Sequence, residues 1–177
     1  MIRFAPLDVL RSISLRHTDI TMPMLRRWVA IGLLRPHRVT VGKHARFPVR
    51  EACLAHLIAE LHAAGLRDIA FEQAALLMRR IVCPEDTSRN PRHGDYGDPV
   101  RKILDHPDSD LHGFVVYPAG NLDEKERIYG VMQPGMEIDD KAAWASLNML
   151  GSYLVVNTRR ILAPMRSLIA DGAIEGE

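Results

Sequence analysis

Apolar positions in the first half of the chain recur at helical spacing, and turn-forming residues separate them. Leu7, Val9, Leu10 and Ile13 predict a short helix over residues 6–13, with Asp8 near its positive end. A polar interval, SLRHTDIT, leads to a second helix expected from Thr21 to about Ile31. Thr21 is an N-cap type of residue and Pro23 is tolerated in a first turn. Gly32 falls where a helix takes a left-handed residue just beyond its end, and Pro36 prevents quick resumption. Residues 35–47, RPHRVTVGKHARF, read as two short strands, 38–41 and 44–47, around Gly42 and Lys43. The spacing next predicts an amphipathic helix over 49–64, with Ala52, Leu54, Leu57, Ile58 and Leu61 on one stripe and Gly65 closing it. A further helix is expected over 70–82, its apolar face built from Phe71, Ala74, Leu77, Met78 and Ile81.

The pattern changes at CPEDTSRNPRHGDYGDP, residues 83–99, where three prolines and two glycines mark a linker. Beyond it, a helical turn or two is expected at 100–106. Paired strands follow in HGFVVYPAG and ERIYGVMQPG around a polar turn at Asn121 to Glu124. A helix through Leu150 starting at Asp139 or Asp140, a third strand in SYLVVN and a last helix over 158–170 complete the reading. The expected fold class is α+β: an N-terminal unit of residues 1–82, a linker of 83–99 and a small acidic α/β domain of 100–177.

Charge sharpens this division. The net charge of +1 hides 13 Lys and Arg against 6 Asp and Glu in residues 1–82, and 10 against 16 in the remainder. Eight basic residues, seven of them Arg, lie from Arg16 to Arg50, with Asp19 as the one acid among them. Such a stripe fits a polyanionic partner, whose condensed counterions are released when Lys and Arg neutralise phosphates. The two cysteines, Cys53 and Cys83, form no CxxC pair, and no HxxxH pair exists. Neither a disulfide framework nor a metal site is therefore expected, and no cofactor. Asp105, His106, Asp108, Asp110 and His112 gather acids and imidazoles, yet they sit in a Pro/Asp-rich turn where solvated loop residues are the expectation, so no catalytic site is expected. No run of about eighteen apolar residues and no signal-like start occur, so no membrane association and a cytoplasmic location are expected.

A helix that reads duplex DNA needs donors on an exposed face and an apolar back that anchors it. In residues 21–32, Leu25, Trp28, Val29 and Met24 supply the back, leaving Thr21, Met22, Arg26 and Arg27 outward. Together with its surroundings, LRRWVAIGLLRPHR resembles the DNA-binding signature of the MerR superfamily of transcription regulators. Arg26, Arg27, Trp28, Gly32, Leu33, Leu34, Pro36 and Arg38 occupy the signature positions, and Arg46 with Phe47 resembles the end of the family's wing. The likeness covers roughly residues 6–82. Arg27 stands where an aromatic is usual, the interval before Thr21 is longer than typical, and the long dimerising helix expected after the wing domain is missing. The resemblance implies a winged helix-turn-helix, with Thr21, Arg26 and Arg27 as recognition-helix contacts to double-stranded DNA. It also implies Arg38, Lys43, His44 and Arg46 as wing contacts to phosphate or the minor groove. A homodimer is expected, because DNA half-sites pair with twofold proteins. The candidate dimer surfaces are the stripe Ile161, Leu162, Met165, Leu168 and Ile169 or the edge of the hairpin, with residues 100–177 also a candidate for a protein partner. An excisionase-like architectural protein is the alternative.

Overall fold

Two glycine-terminated helices and the loops they release set the frame of the N-terminal half. In a computed structural model, the described residues are 3–37, 45–83, 113–118, 129–132 and 154–174. The elements run β1 (Arg3–Phe4), α1 (Pro6–Ser14), α2 (Met22–Ala30), β2 (Phe47–Pro48), α3 (Val49–Ala63) and α4 (Asp68–Val82), then β3 (Gly113–Pro118), β4 (Tyr129–Met132), β5 (Leu154–Asn157) and α5 (Thr158–Ile174). The protein is thus α+β, with two small antiparallel sheets among the described residues. One pairs β1 with β2; the other has the order β4-β3-β5. The expected strand over 38–41 and its turn at Gly42 and Lys43, the linker beyond Cys83, the helical turns of 100–106, the turn at 121–124 and the helix of 139–150 lie outside the described residues.

Local chemistry accounts for the helix ends. Pro6 opens α1, and the Asp8 carboxylate accepts from the Ala5 N–H at 3.1 Å, half of a capping box at the positive end of the helix. Thr21 holds the N-cap position of α2 in extended conformation, yet its hydroxyl makes no capping bond. Gly32 (φ +79°) and Gly65 (φ +92°) end α2 and α3 in the left-handed region. Each builds a Schellman motif. Gly32 N–H donates to Val29 and Leu33 N–H to Trp28, while Gly65 N–H donates to His62 and Leu66 N–H to Leu61.

The single apolar stripe expected on α3 is corrected by its position. Residues 51–59 and Leu61 are all buried, because α1, α4, α5 and both short strands pack around this helix. A helix enclosed on all sides needs no polar face. One continuous apolar cluster joins Ile13, Leu25, Trp28, Leu57, Ile58 and Met78 to Phe114, Val116, Val156, Ile161, Leu162 and Met165. The N-terminal helices and the C-terminal elements therefore meet through α3. The stripe of α5 offered as a dimer face is committed to this core, with Ile161 at 1% exposure and Leu162 and Met165 at 0%. Leu168 and Ile169 pack partly buried beside them.

Two polar devices sit within this core. Ser12 Oγ donates to the Val9 carbonyl at 2.8 Å and lies 2.8 Å from His56 Nε2. With the hydroxyl hydrogen so engaged, the imidazole donates from Nε2 and is neutral. Burial first, then the charges of His17 and Arg16, lower the His56 pKa from 6.5 to about 3. The second device is an ion pair. Arg79 on α4 binds Glu51 on α3 through two parallel bonds of 2.9 and 2.8 Å, and both side chains are nearly inaccessible. The same guanidinium donates to the Leu33 carbonyl at 3.1 Å, and Glu51 accepts from the Arg35 N–H at 2.8 Å. Arg79 also explains why the buried face of α4 is turned from the expected one: Ala75, Arg79 and Val82 are buried, whereas Leu77 and Ile81 are only half-buried.

Two outcomes follow from these devices. Arg79→Met should destabilise the protein by about 3–5 kcal/mol in urea unfolding, because it strands a buried carboxylate. Adding Glu51→Leu should recover part of that loss, giving a non-zero coupling in a double-mutant cycle. For His56, the unfolded chain binds a proton that the folded chain refuses between about pH 3 and pH 6.5. Stability should hence fall as pH drops below about 6.5, by up to about 1.4 kcal/mol per pH unit within that window. His56→Leu should flatten the acid limb of a pH-resolved melting series.

Candidate nucleic-acid interface

At about 100° of rotation per residue, Arg26, Ala30, Pro23 and Arg27 occupy a continuous arc of α2. All four are exposed. Leu25 and Trp28 lie on the opposite side, at 1% and 3% exposure, with Val29, Met22 and Met24 packed against the core at the flanks. Two small residues thus separate two guanidiniums on the outer face, leaving a slim helix that a groove can approach. Neither Arg26 nor Arg27 has a hydrogen-bond or ion-pair partner among the described residues. Thr21 is exposed beside them at the start of the helix.

The back of α2 is fixed to α4 by aromatic contact. Trp28 and Phe71 have ring centroids 6.1 Å apart, and Phe71 and His62 stack in a T shape with centroids 5.9 Å apart. Trp28 accordingly belongs to the core. A shallow depression of about 110 Å³ opens between α2 and the α3–α4 turn, with Trp28, Ile31, Leu66 and Phe71 among its walls. Burial, with Arg67 as the second cause, lowers the pKa of His62 on this rim.

Beyond Gly32 the chain is held at each step. Leu33 and Leu34 are buried, Arg35 N–H is bound by Glu51, and His37 exchanges two backbone hydrogen bonds with Arg46, at 2.8 and 3.0 Å. This bridge joins the two ends of the segment between His37 and Arg46; Arg38, Lys43 and His44, three expected contact residues, lie outside the described residues. Arg46 is exposed at the bridge, and Phe47 after it is buried. The described site residues therefore divide into Thr21 at the start of α2 with Arg26 and Arg27 on its outer face, and Arg46 in the bridge just before β2.

Three of the six acids of this half are occupied elsewhere. Glu51 holds Arg79, Asp8 caps α1, and Glu60 on α3 binds His17 at 2.8 Å and Arg16 at 3.5 Å. The basic stripe is consequently not uniform. Arg16 is an internal tie, which also donates to the Arg160 carbonyl of α5 at 3.1 Å, whereas Arg26, Arg27 and Arg46 face outward. Glu51 and Arg79, which position the whole segment, escape a motif-based reading; the signal for Arg79 is a charge at i+4 from Ala75 on an otherwise apolar stripe. Burial, followed by the Glu51 charge, pushes the Cys83 thiol up to about 12, so it remains a thiol. Among the described residues no group of three metal-ligating side chains assembles, and no helix is long and apolar enough to cross a membrane.

No family model and no curated protein matches the chain.

An added Cβ at Gly32 would meet no atom within 4 Å, so Gly32→Ala carries only the cost of the left-handed backbone. That substitution should lower unfolding free energy by about 1–2 kcal/mol in chemical denaturation, without the larger loss that a steric clash would add.

Proposed function

We propose that this chain is a sequence-specific regulator of transcription that binds double-stranded DNA through a MerR-like winged helix-turn-helix over residues 1–82. In this reading α2 is the recognition helix. Arg26 and Arg27 donate to base edges or phosphates, Thr21 contacts the backbone at the helix start, and the loop bearing Arg38, Lys43, His44 and Arg46 is the wing. The single observation that carries the reading is the outer face of α2, where two arginines flank Pro23 and Ala30 while Leu25 and Trp28 anchor the back. Further support comes from the signature-like run around Gly32 and from the basic excess of residues 1–82. Residues 100–177 serve in assembly or in binding a protein partner. With the α5 stripe buried, a homodimer would have to use another surface; among the described residues β5 pairs on one side only, with Val155 exposed.

A second reading, an excisionase-like architectural DNA-binding protein, is favoured by one feature. Helix α4 ends at Val82 and Pro84 follows Cys83, so the family's long dimerising helix cannot continue from α4.

Selection from a random duplex pool with the purified full-length protein, followed by titration at several salt concentrations, tests both readings. An enriched motif with two spaced half-sites is expected for the regulator, and one motif with strong bending for the architectural protein. Arg26→Ala should relax preference at one base position by about 1–3 kcal/mol, whereas Arg46→Ala should weaken all duplexes alike. Binding with no preference over random duplex at any salt concentration would sink sequence-specific regulation.

A further inference from the structure

The small sheet formed by β1 and β2 has two faces of opposite character. Phe4 and Phe47 stand opposite one another in the ladder and are both buried. Side chains alternate along a strand, so Arg3, opposite Pro48, lies on the outer face, and Arg46, two residues before Pro48, shares it. His37 is bridged to Arg46 and exposed with it. Three basic side chains from three separated segments are therefore brought together by the fold. Two of them touch directly, with Arg3 Nη1 3.4 Å from His37 Nδ1, while Arg46 is joined to His37 through the backbone. A guanidinium only donates, so Nδ1 accepts and the ring carries its hydrogen on Nε2. No carboxylate pairs with Arg3 or Arg46 among the described residues.

This arrangement offers two permanent cations, a planar guanidinium fork and a neighbouring imidazole N–H. A phosphodiester, whose single negative charge is shared by two non-bridging oxygens, matches that donor set better than an apolar ligand does. We propose that Arg3, with His37 and Arg46, clamps one or two backbone phosphates of duplex DNA, making β1 part of the interface. The inference rests on the DNA-binding reading above and adds to it residues from the N-terminal strand. Phosphate contacts carry no sequence information but fix register. Because Phe4 anchors β1 in the core, the clamp is built on a held strand and orients α2 against the groove.

The test compares full-length wild type, Arg3→Ala, Arg3→Gln, Arg3→Lys and Arg26→Ala by fluorescence anisotropy. Each is titrated with its selected duplex and with a random duplex across a salt series. Arg3→Ala and Arg3→Gln should weaken binding to both duplexes by the same factor and reduce the slope of log K against log salt by about 1. Arg3→Lys, which keeps the charge, should retain the slope. Arg26→Ala should instead change the ratio between the two duplexes. Wild-type slope and affinity in both Arg3→Ala and Arg3→Gln overturn the clamp while leaving the DNA-binding reading intact. A loss confined to the selected duplex also overturns it, because Arg3 would then read a base. Absence of wild-type binding to either duplex overturns both. Since Arg3 is exposed, matched melting temperatures separate these effects from unfolding, and Arg3→Gln supplies the reading if Arg3→Ala melts early.

Discussion

A buried carboxylate and a buried guanidinium hold the N-terminal half in register. Removing Glu51 and Arg79 from water costs several kcal/mol per ion, and their parallel bonds offset only part of that. The rest of the compensation comes from the backbone, through the Leu33 carbonyl and the Arg35 N–H. The pair is therefore a four-way junction between the first turn of α3, the last turn of α4 and two points on the segment leaving α2. Apolar replacements of equal volume would fill the space but would leave a carbonyl and an N–H without partners. Placement of α2 and of the His37–Arg46 bridge depends on this junction, since both are attached to the segment it grips.

Much of the frame was legible in the sequence because it is written in local chemistry. Gly32 and Gly65 mark helix ends that need a left-handed residue, and both take that conformation. The apolar spacing around Leu25 and Trp28 located the back of α2, and thereby its outer face. What local pattern does not encode is what stands on the far side of a helix. The residues of α3 read as one stripe, yet Glu51 to Ala59 and Leu61 are all buried, because α5 arrives from about a hundred residues downstream in the chain. Nothing in residue type or in place near the helix end distinguishes Arg79 from the neighbouring Arg80, and only the approach of α3 makes Arg79 a partner for Glu51. Thr21 has the right chemistry for a cap and the right position, but its hydroxyl is not used that way. The grouping of Arg3 with His37 follows from strand pairing across more than thirty residues, which no spacing rule reveals.

The central position of α3 also changes how the C-terminal segment relates to the rest. Helix α5 contributes Ile161, Leu162 and Met165 to the cluster that holds Leu25 and Trp28, and Arg16 reaches the Arg160 carbonyl across the junction. A displacement of α5 would expose apolar surface belonging to α1 and α3. Such a displacement would therefore act on the support of α2, without having to touch its outer face.

Helix α2 divides its labour by side. The residues that decide where it sits, Leu25 and Trp28, are buried and closely packed; those that decide what it meets, Arg26, Arg27, Pro23 and Ala30, contact mainly solvent. Substitutions on an exposed face of this kind usually alter stability by less than about 0.5 kcal/mol. The outer face can accordingly change almost independently of the fold, so that under the DNA-binding reading proposed above a different target would require the exchange of only two or three side chains.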